Sequence, residues 1–191
     1  MTTPHPPPRI PRSQWSSHRN YPAQLLLLGS HRNFRSISQR LIEAADEGVD
    51  ARRIAWVFER WLMGMHSHEG YEEGKLYPYL EARHGAALEH LREGHAQLRA
   101  AQVRVWAALG RSLGLEVEGE GVVALEETVE GETLAAALRV HDTMLDAHLE
   151  AEEDAVIPLL LEMERAEFER YVEQPIDALL PASLAVDRAV V

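Results

Sequence analysis

Four long stretches of this 191-residue chain place apolar residues three and four positions apart, which is the spacing of an amphipathic helix. The alternation of apolar and polar residues that is typical of strands is almost absent. Four helices of this kind, joined by connections of modest length, predict an all-α protein built as an up-down-up-down four-helix bundle. The predicted helices cover about 22–47, 50–79, 85–113 and 132–163.

The ends of the chain differ from these stretches. Residues 1–21 are rich in proline and predict an extended arm, residues 22–163 the bundle, and residues 164–191 a short helix followed by a tail. The first residues lack the apolar core of a secretory signal. The longest apolar run near them, 25–28, is far shorter than the ~20 residues that a membrane span needs. We therefore expect no contact with a membrane.

Charge and cysteine content narrow the chemistry. A net charge of −12 argues against a nucleic-acid partner, because such binding depends on neutralising phosphates with a basic surface. The chain has no cysteine, which excludes disulfides, iron–sulfur clusters and thiolate zinc sites. A chain that needs no disulfide is compatible with the cytoplasm, and we expect a cytoplasmic protein.

One phrase occurs twice: "HEGYEEGKLYP" over 68–78 and "HLEAEEDAVIP" over 148–158. In each, a histidine precedes a glutamate by four positions, so His68 and Glu72, like His148 and Glu152, share one side of a helix. The apolar residues around them indicate that this side faces inward. Carboxylates buried without partners are costly, so the two glutamates need a cation or strong donors. Nitrogen and oxygen donors without sulfur suit iron, manganese or zinc.

Each of the other two long helices carries one histidine in phase with its apolar residues, His31 in the first and His95 in the third. A single HxxxE pair is usually a surface pair, and a single core histidine is usually bonded to a carbonyl group. The repetition of the phrase and the presence of an inward histidine on all four helices favour a metal site. The predicted metal ligands are His31, His68, Glu72, His95, His148 and Glu152.

With these residues in place, the chain resembles the hemerythrin-like (HHE cation-binding) domain family. The resemblance covers about 25–163 and includes "LLLGSHRNF", "HEGYEEGKLYPYL", "LREGHAQLRAA" and "HLEAEEDAVIPLL". It implies a four-helix bundle that holds two non-haem iron ions joined by an oxo or hydroxo bridge, with manganese or zinc as substitutes. Carried over by position, Glu72 and Glu152 are the bridging carboxylates, and His31, His68, His95 and His148 are terminal ligands.

The sequence departs from the oxygen-carrying hemerythrins at two places. Those proteins have two histidines four apart on the third helix and a later aspartate on the fourth. Here Leu91 and Arg99 stand four positions before and after His95, and the fourth helix offers Glu152. The site therefore resembles the branch of the family with fewer histidines, which argues against simple oxygen transport and favours a more open, more reactive centre.

The angular position of each remaining titratable residue around its helix predicts whether it lies near the site or on the surface. His141 and Tyr71 are predicted to support the site from behind the ligands or at its edge, with plain core packing as the alternative for both. Glu69 is left open between a surface charge and a further ligand. Glu73 and Glu153 are predicted to form ion pairs or to contact the ligands, and His84 to lie near a helix end without binding metal. His66 and His90 are predicted to lie on the surface.

Competing metal scaffolds do not fit. A ferritin-like site needs two ExxH pairs and only Glu81 with His84 provides one, while the zincin motif lacks its second histidine here.

By resemblance, we expect a protein that binds or senses O2, nitric oxide or peroxide, or reduces peroxide or nitric oxide, with an unidentified redox partner. The alternative is an iron- or oxygen-responsive regulatory module without turnover. Iron–sulfur repair is disfavoured, because the relatives that do this usually carry a cysteine-bearing segment. We expect a monomer or a homodimer.

Overall fold

The computed structural model describes residues 10–114 and 131–180, and this part of the chain is helical, without a strand. The predicted all-α class is confirmed. The α-helices are α1 (Leu25–Asp46), α2 (Ala51–Tyr71), α3 (Tyr77–His84), α4 (Glu89–Ser112), α5 (Leu134–Glu162), α6 (Arg165–Glu173) and α7 (Ile176–Leu179). Parts of the predicted arm (1–9) and tail (181–191), and the connection over 115–130, lie outside the described residues.

The second predicted helix is interrupted, which the sequence analysis did not foresee. A π-helix, Glu72–Leu76, separates α2 from α3, and the N–H of Tyr77 donates to the carbonyl oxygen of Glu72, five residues back. Pro78, in the first turn of α3, has no N–H, and in an α-helix its ring would clash with the carbonyl group four residues earlier. The wider turn of the π-helix before it avoids this clash. In the second copy of the phrase, Pro158 lies inside α5 instead.

The structure divides into two compact units, which we describe separately. The first unit contains residues 10–29, 68–92 and 150–180, and the second contains 30–67, 93–114 and 131–149. In the first unit, α3, α4, α5 and α6 supply a core that includes Leu80, Leu91, Val156, Leu160 and Tyr171.

The N-terminal segment belongs to the first unit and is not extended where it is described. Two 3-10 helices, Arg12–Ser17 and Tyr21–Gln24, precede α1. Trp15 is buried against Ile157 and Leu161, and its ring N–H donates to a backbone carbonyl. Burial of one tryptophan supplies the stabilisation that a proline-rich segment lacks by itself.

In the second unit, α1, α2, α4 and α5 share a core that includes Phe34, Phe58, Trp61, Leu98 and Leu145. Two large apolar side chains of this unit stay partly exposed: Val57 is 37% and Trp106 40% accessible. A helix buries only part of its circumference, and large apolar side chains at the edge of the apolar face stay partly in solvent.

Within the described residues, we find no helix that is long and apolar enough to span a membrane.

Candidate metal centre

Three of the six predicted ligands come together in the first unit. One potential ligand atom from each of His68, Glu72 and Glu152 lies within 4.8 Å of the others. A fourth predicted ligand, His31, is buried in the second unit. Atoms that bind one metal ion at about 2.1 Å can be no more than about 4.2 Å apart, so small adjustments bring this group to coordination distance. His31, Glu72 and Glu152 are almost completely buried, and His68 is partly buried.

The first copy of the phrase provides a histidine–carboxylate pair on consecutive helical turns. His68 is near the end of α2, Glu72 begins the π-helix, and His68 Nε2 lies 2.7 Å from Glu72 Oε1. The i, i+4 spacing that predicted a shared face holds across this junction. The pair therefore offers one nitrogen and one carboxylate group from the same side of the chain.

The two glutamates form an unfavourable pair when no cation is present. Both are 0% exposed. Burial raises the pKa of the Glu152 carboxyl well above its usual range, and the nearby charge of Glu72 raises it further. Two buried carboxylates of like charge need a bound proton or a cation, and the ring nitrogen of His68 beside Glu72 is a further potential ligand atom for a cation.

Tyr77 is a site residue that the sequence analysis missed. Its buried hydroxyl donates to Glu152 Oε1 at 3.0 Å. Five residues advance an α-helix by about 500°, which would turn Tyr77 about 140° away from Glu72. Residues five apart lie nearly above one another in a π-helix, so the Glu72–Leu76 segment brings Tyr77 to the same side as Glu72. Pro78, the last residue of the repeated phrase, was the one feature of the sequence that could have indicated this wider turn.

The remaining predicted ligands, His95 and His148, lie side by side in the second unit. Their ring centroids are 4.5 Å apart with the planes tilted by 59°. Both are buried, His95 at 1% and His148 at 7% exposure. His148 precedes Glu152 by one turn of α5. The structure thus pairs these two histidines with each other, and their service as metal ligands stays a prediction.

The two supporting candidates have other partners. The hydroxyl of Tyr71 is hydrogen-bonded to that of Tyr171, and burial is the main cause of its raised pKa. His141 is buried and packs edge-on against the rings of Phe58 and Trp61, at centroid distances of 5.9 and 5.1 Å. Burial lowers the pKa of His141 to about 4, so its imidazole is neutral at physiological pH.

Glu69 and Glu153, which are adjacent in sequence to predicted ligands, are buried. Glu69, which was left open between a surface charge and a further ligand, is 4% exposed. Glu153 is 5% exposed, and its Oε2 lies 2.8 Å from Nη1 of Arg12 in the N-terminal segment. The predicted ion pair of Glu153 is therefore present, with a partner from a segment that was expected to be an extended arm.

Three histidines that were predicted not to bind metal, His66, His84 and His90, have other surroundings. His66 and His90 are exposed, as predicted, and His66 Nε2 is 3.2 Å from Gln102 Oε1. His84, in the last turn of α3, lies 3.3 Å from a carboxylate oxygen of Glu167. These contacts are those of surface and helix-end residues.

Comparison with known families agrees with this arrangement. The family model described as hemerythrin, hemerythrin HHE cation-binding domain, matches residues 25–160, which is more than half of the chain. The chain belongs to this family. Comparisons with curated proteins and with solved structures gave no match.

The donor set fits the cation that the family implies. Imidazole nitrogens and carboxylate oxygens are suitable ligands for iron, manganese and zinc, and the chain has no cysteine to supply a thiolate ligand. The buried pair of Glu72 and Glu152 supplies negative charge where a cation would offset it. His68, Glu72 and Glu152 can therefore contribute ligand atoms to a metal ion.

Proposed function

We propose that the chain holds two iron ions and uses them to bind or reduce O2, nitric oxide or peroxide. The observation that carries the proposal is the buried carboxylate pair, Glu72 and Glu152, with a ligand atom of His68 within 4.8 Å. In this proposal the long helices α1, α2, α4 and α5 form the up-down-up-down bundle that the sequence predicts.

Each ligand has a role in the proposed centre. Glu72 and Glu152 would be the carboxylate ligands shared by the two ions, because a carboxylate has two oxygens and these two side chains are neighbours. His31, His68, His95 and His148 would be the histidine ligands, as the family resemblance implies. Bound iron would supply electrons to a small oxygen- or nitrogen-containing molecule.

The protein's own contribution is to hold the carboxylates and exclude water. Tyr77 donates to Glu152, which orients that carboxylate and favours its charged form. Tyr77 keeps its proton, because burial and the charge of Glu152 raise its pKa. Arg12 pairs with Glu153, the residue after Glu152, and so attaches the N-terminal segment to the ligand-bearing part of α5.

The second candidate is an iron- or oxygen-responsive regulatory module without turnover. The described residues of the N-terminal arm pack against α5 through Trp15 and Arg12, which favours the metal-reaction proposal over one in which this segment binds a partner.

The test is metal analysis followed by anaerobic reaction. We expect the purified protein to contain two irons per chain, with near-ultraviolet absorption from oxygen-to-iron charge transfer. Mixing the reduced protein separately with O2, nitric oxide and peroxide identifies the reactive ligand from the change in the iron spectrum. One zinc per chain, with no uptake of iron under reducing conditions, would overturn the proposal.

A further inference from the structure

Gly94 in α4 faces the imidazole of His148 at very short range. A Cβ atom placed on Gly94 would lie less than 3.0 Å from His148 Nδ1, 3.2 Å from its Cε1 and 3.4 Å from its Cγ. Carbon and nitrogen atoms that are not bonded favour separations of about 3.5 Å or more. Any side chain at this position therefore requires the imidazole or the helix to move.

Three other helical glycines do not share this property. Gly29 and Gly70 have open space where a Cβ would lie, and Gly64 would make an ordinary contact of 3.7 Å with Phe34. A glycine inside a helix is unfavourable relative to alanine, because the unfolded chain loses more conformational freedom. At Gly94, the lack of a side chain allows α4 to approach the imidazole of His148 closely.

The approach also selects how the ring is turned. The three ring atoms nearest to the hypothetical Cβ are Nδ1, Cε1 and Cγ, so Nδ1 is directed towards α4 and Nε2 lies farther away. The next residue of α4, His95, places its own ring 4.5 Å from the centroid of the His148 ring. Two consecutive residues of α4 thus confine one imidazole.

We propose that Gly94 is a positioning residue that seats the His148 imidazole with Nδ1 against α4 and leaves Nε2 to bind metal. The seating is independent of any metal. Its consequence for metal binding rests on the proposed function, in which His148 is a terminal ligand.

The seating is tested in the metal-free protein by a double-mutant cycle of Gly94→Ala and His148→Ala, with Gly70→Ala as the matched helical control. Gly94→Ala should lower the melting temperature by roughly 3 °C or more, because it overpacks a filled space. Gly70→Ala should leave it unchanged or raise it. In the His148→Ala background, Gly94→Ala should cost nothing, because the obstructing ring is gone.

Two results of the cycle would overturn the seating. One is an equal loss of melting temperature in both backgrounds, which would mean that Gly94 acts through the backbone. The other is a Gly94→Ala protein that is as stable as Gly70→Ala. If Gly94→Ala does not fold, the double variant decides the matter: it folds when the imidazole is the obstacle and fails when it is not.

The consequence is tested by loading iron. Gly94→Ala should lose as much iron as His148→Ala, while Gly70→Ala retains the wild-type content. Wild-type iron in Gly94→Ala would overturn the positioning role, provided that His148→Ala loses iron. A wild-type protein that takes up no iron would instead overturn the proposed function, and the metal-free cycle would still report on the seating.

Discussion

The hydroxyl of Tyr77 donates a hydrogen bond of 3.0 Å to Glu152 Oε1, and both side chains are completely buried. This bond favours the ionised carboxylate, whereas burial and the neighbouring Glu72 favour its protonated form. The donor reaches Glu152 because a π-helix, Glu72–Leu76, precedes Tyr77. A local irregularity of the backbone thus supports a residue of the metal centre.

Replacing Tyr77 with phenylalanine should destabilise the metal-free protein by about 1–3 kcal/mol, because a buried acceptor loses its donor while the ring remains. The free energy of unfolding in urea measures the effect. Tyr79→Phe is the control: its hydroxyl donates to the partly exposed Glu167, which water can solvate, and the loss should be smaller. Equal stability of the wild type and Tyr77→Phe would contradict this reading of the bond.

The helices and three members of the site were predictable because they depend on local spacing. His68 and Glu72 meet through an i, i+4 relation, and the burial of His31 follows from its phase among apolar residues. Tyr77 was not predictable in the same way, since its position depends on a wider turn that the α-helical period does not describe. The burial of Trp15 depends on packing against α5, which no local pattern encodes.

Replacing His95 with alanine should remove iron, whereas replacing His90 on the same helix should leave the iron content unchanged. His95 is 1% exposed with its ring beside that of His148, and His90 is exposed. Iron per chain, measured on folded protein, separates the two variants. Equal losses would mean that the inward face of α4 is not the face that binds metal.

The contribution of His141 to the free energy of unfolding should fall when the pH falls from about 6.5 to about 4. Burial lowers its pKa from 6.5 to about 4, so in this range the unfolded chain takes up a proton that the folded protein does not. The loss should be on the order of 3 kcal/mol and should level off below the folded pKa.

The measurement is the free energy of unfolding against pH for the wild type and for His141→Leu. Their difference should change through this window, because leucine does not titrate. The same comparison with His90→Leu, at an exposed position, should give a nearly flat difference. A flat difference for His141→Leu as well would show that the folded protein protonates His141 as easily as the unfolded chain does.

Iron should stabilise the folded protein through Glu72 and Glu152. An ion that binds only the native state adds RT ln(1 + [L]/Kd), or ~2.7 kcal/mol at a free concentration of about 100 Kd. For a chain of this size, that raises the melting temperature by roughly 5–10 °C. Chelated and iron-loaded samples, compared by calorimetry, give this difference directly.

Replacing both glutamates with glutamine should reduce the difference from two directions. The iron form loses both bridging carboxylates, and the metal-free form loses the like charges that oppose each other in the core. Glu43→Gln with Glu93→Gln, two exposed positions, removes the same charge without touching the site and should keep the wild-type difference. If chelated and iron-loaded wild-type protein melt together, iron is not held by these buried carboxylates, and Glu72 and Glu152 must be satisfied by protons instead.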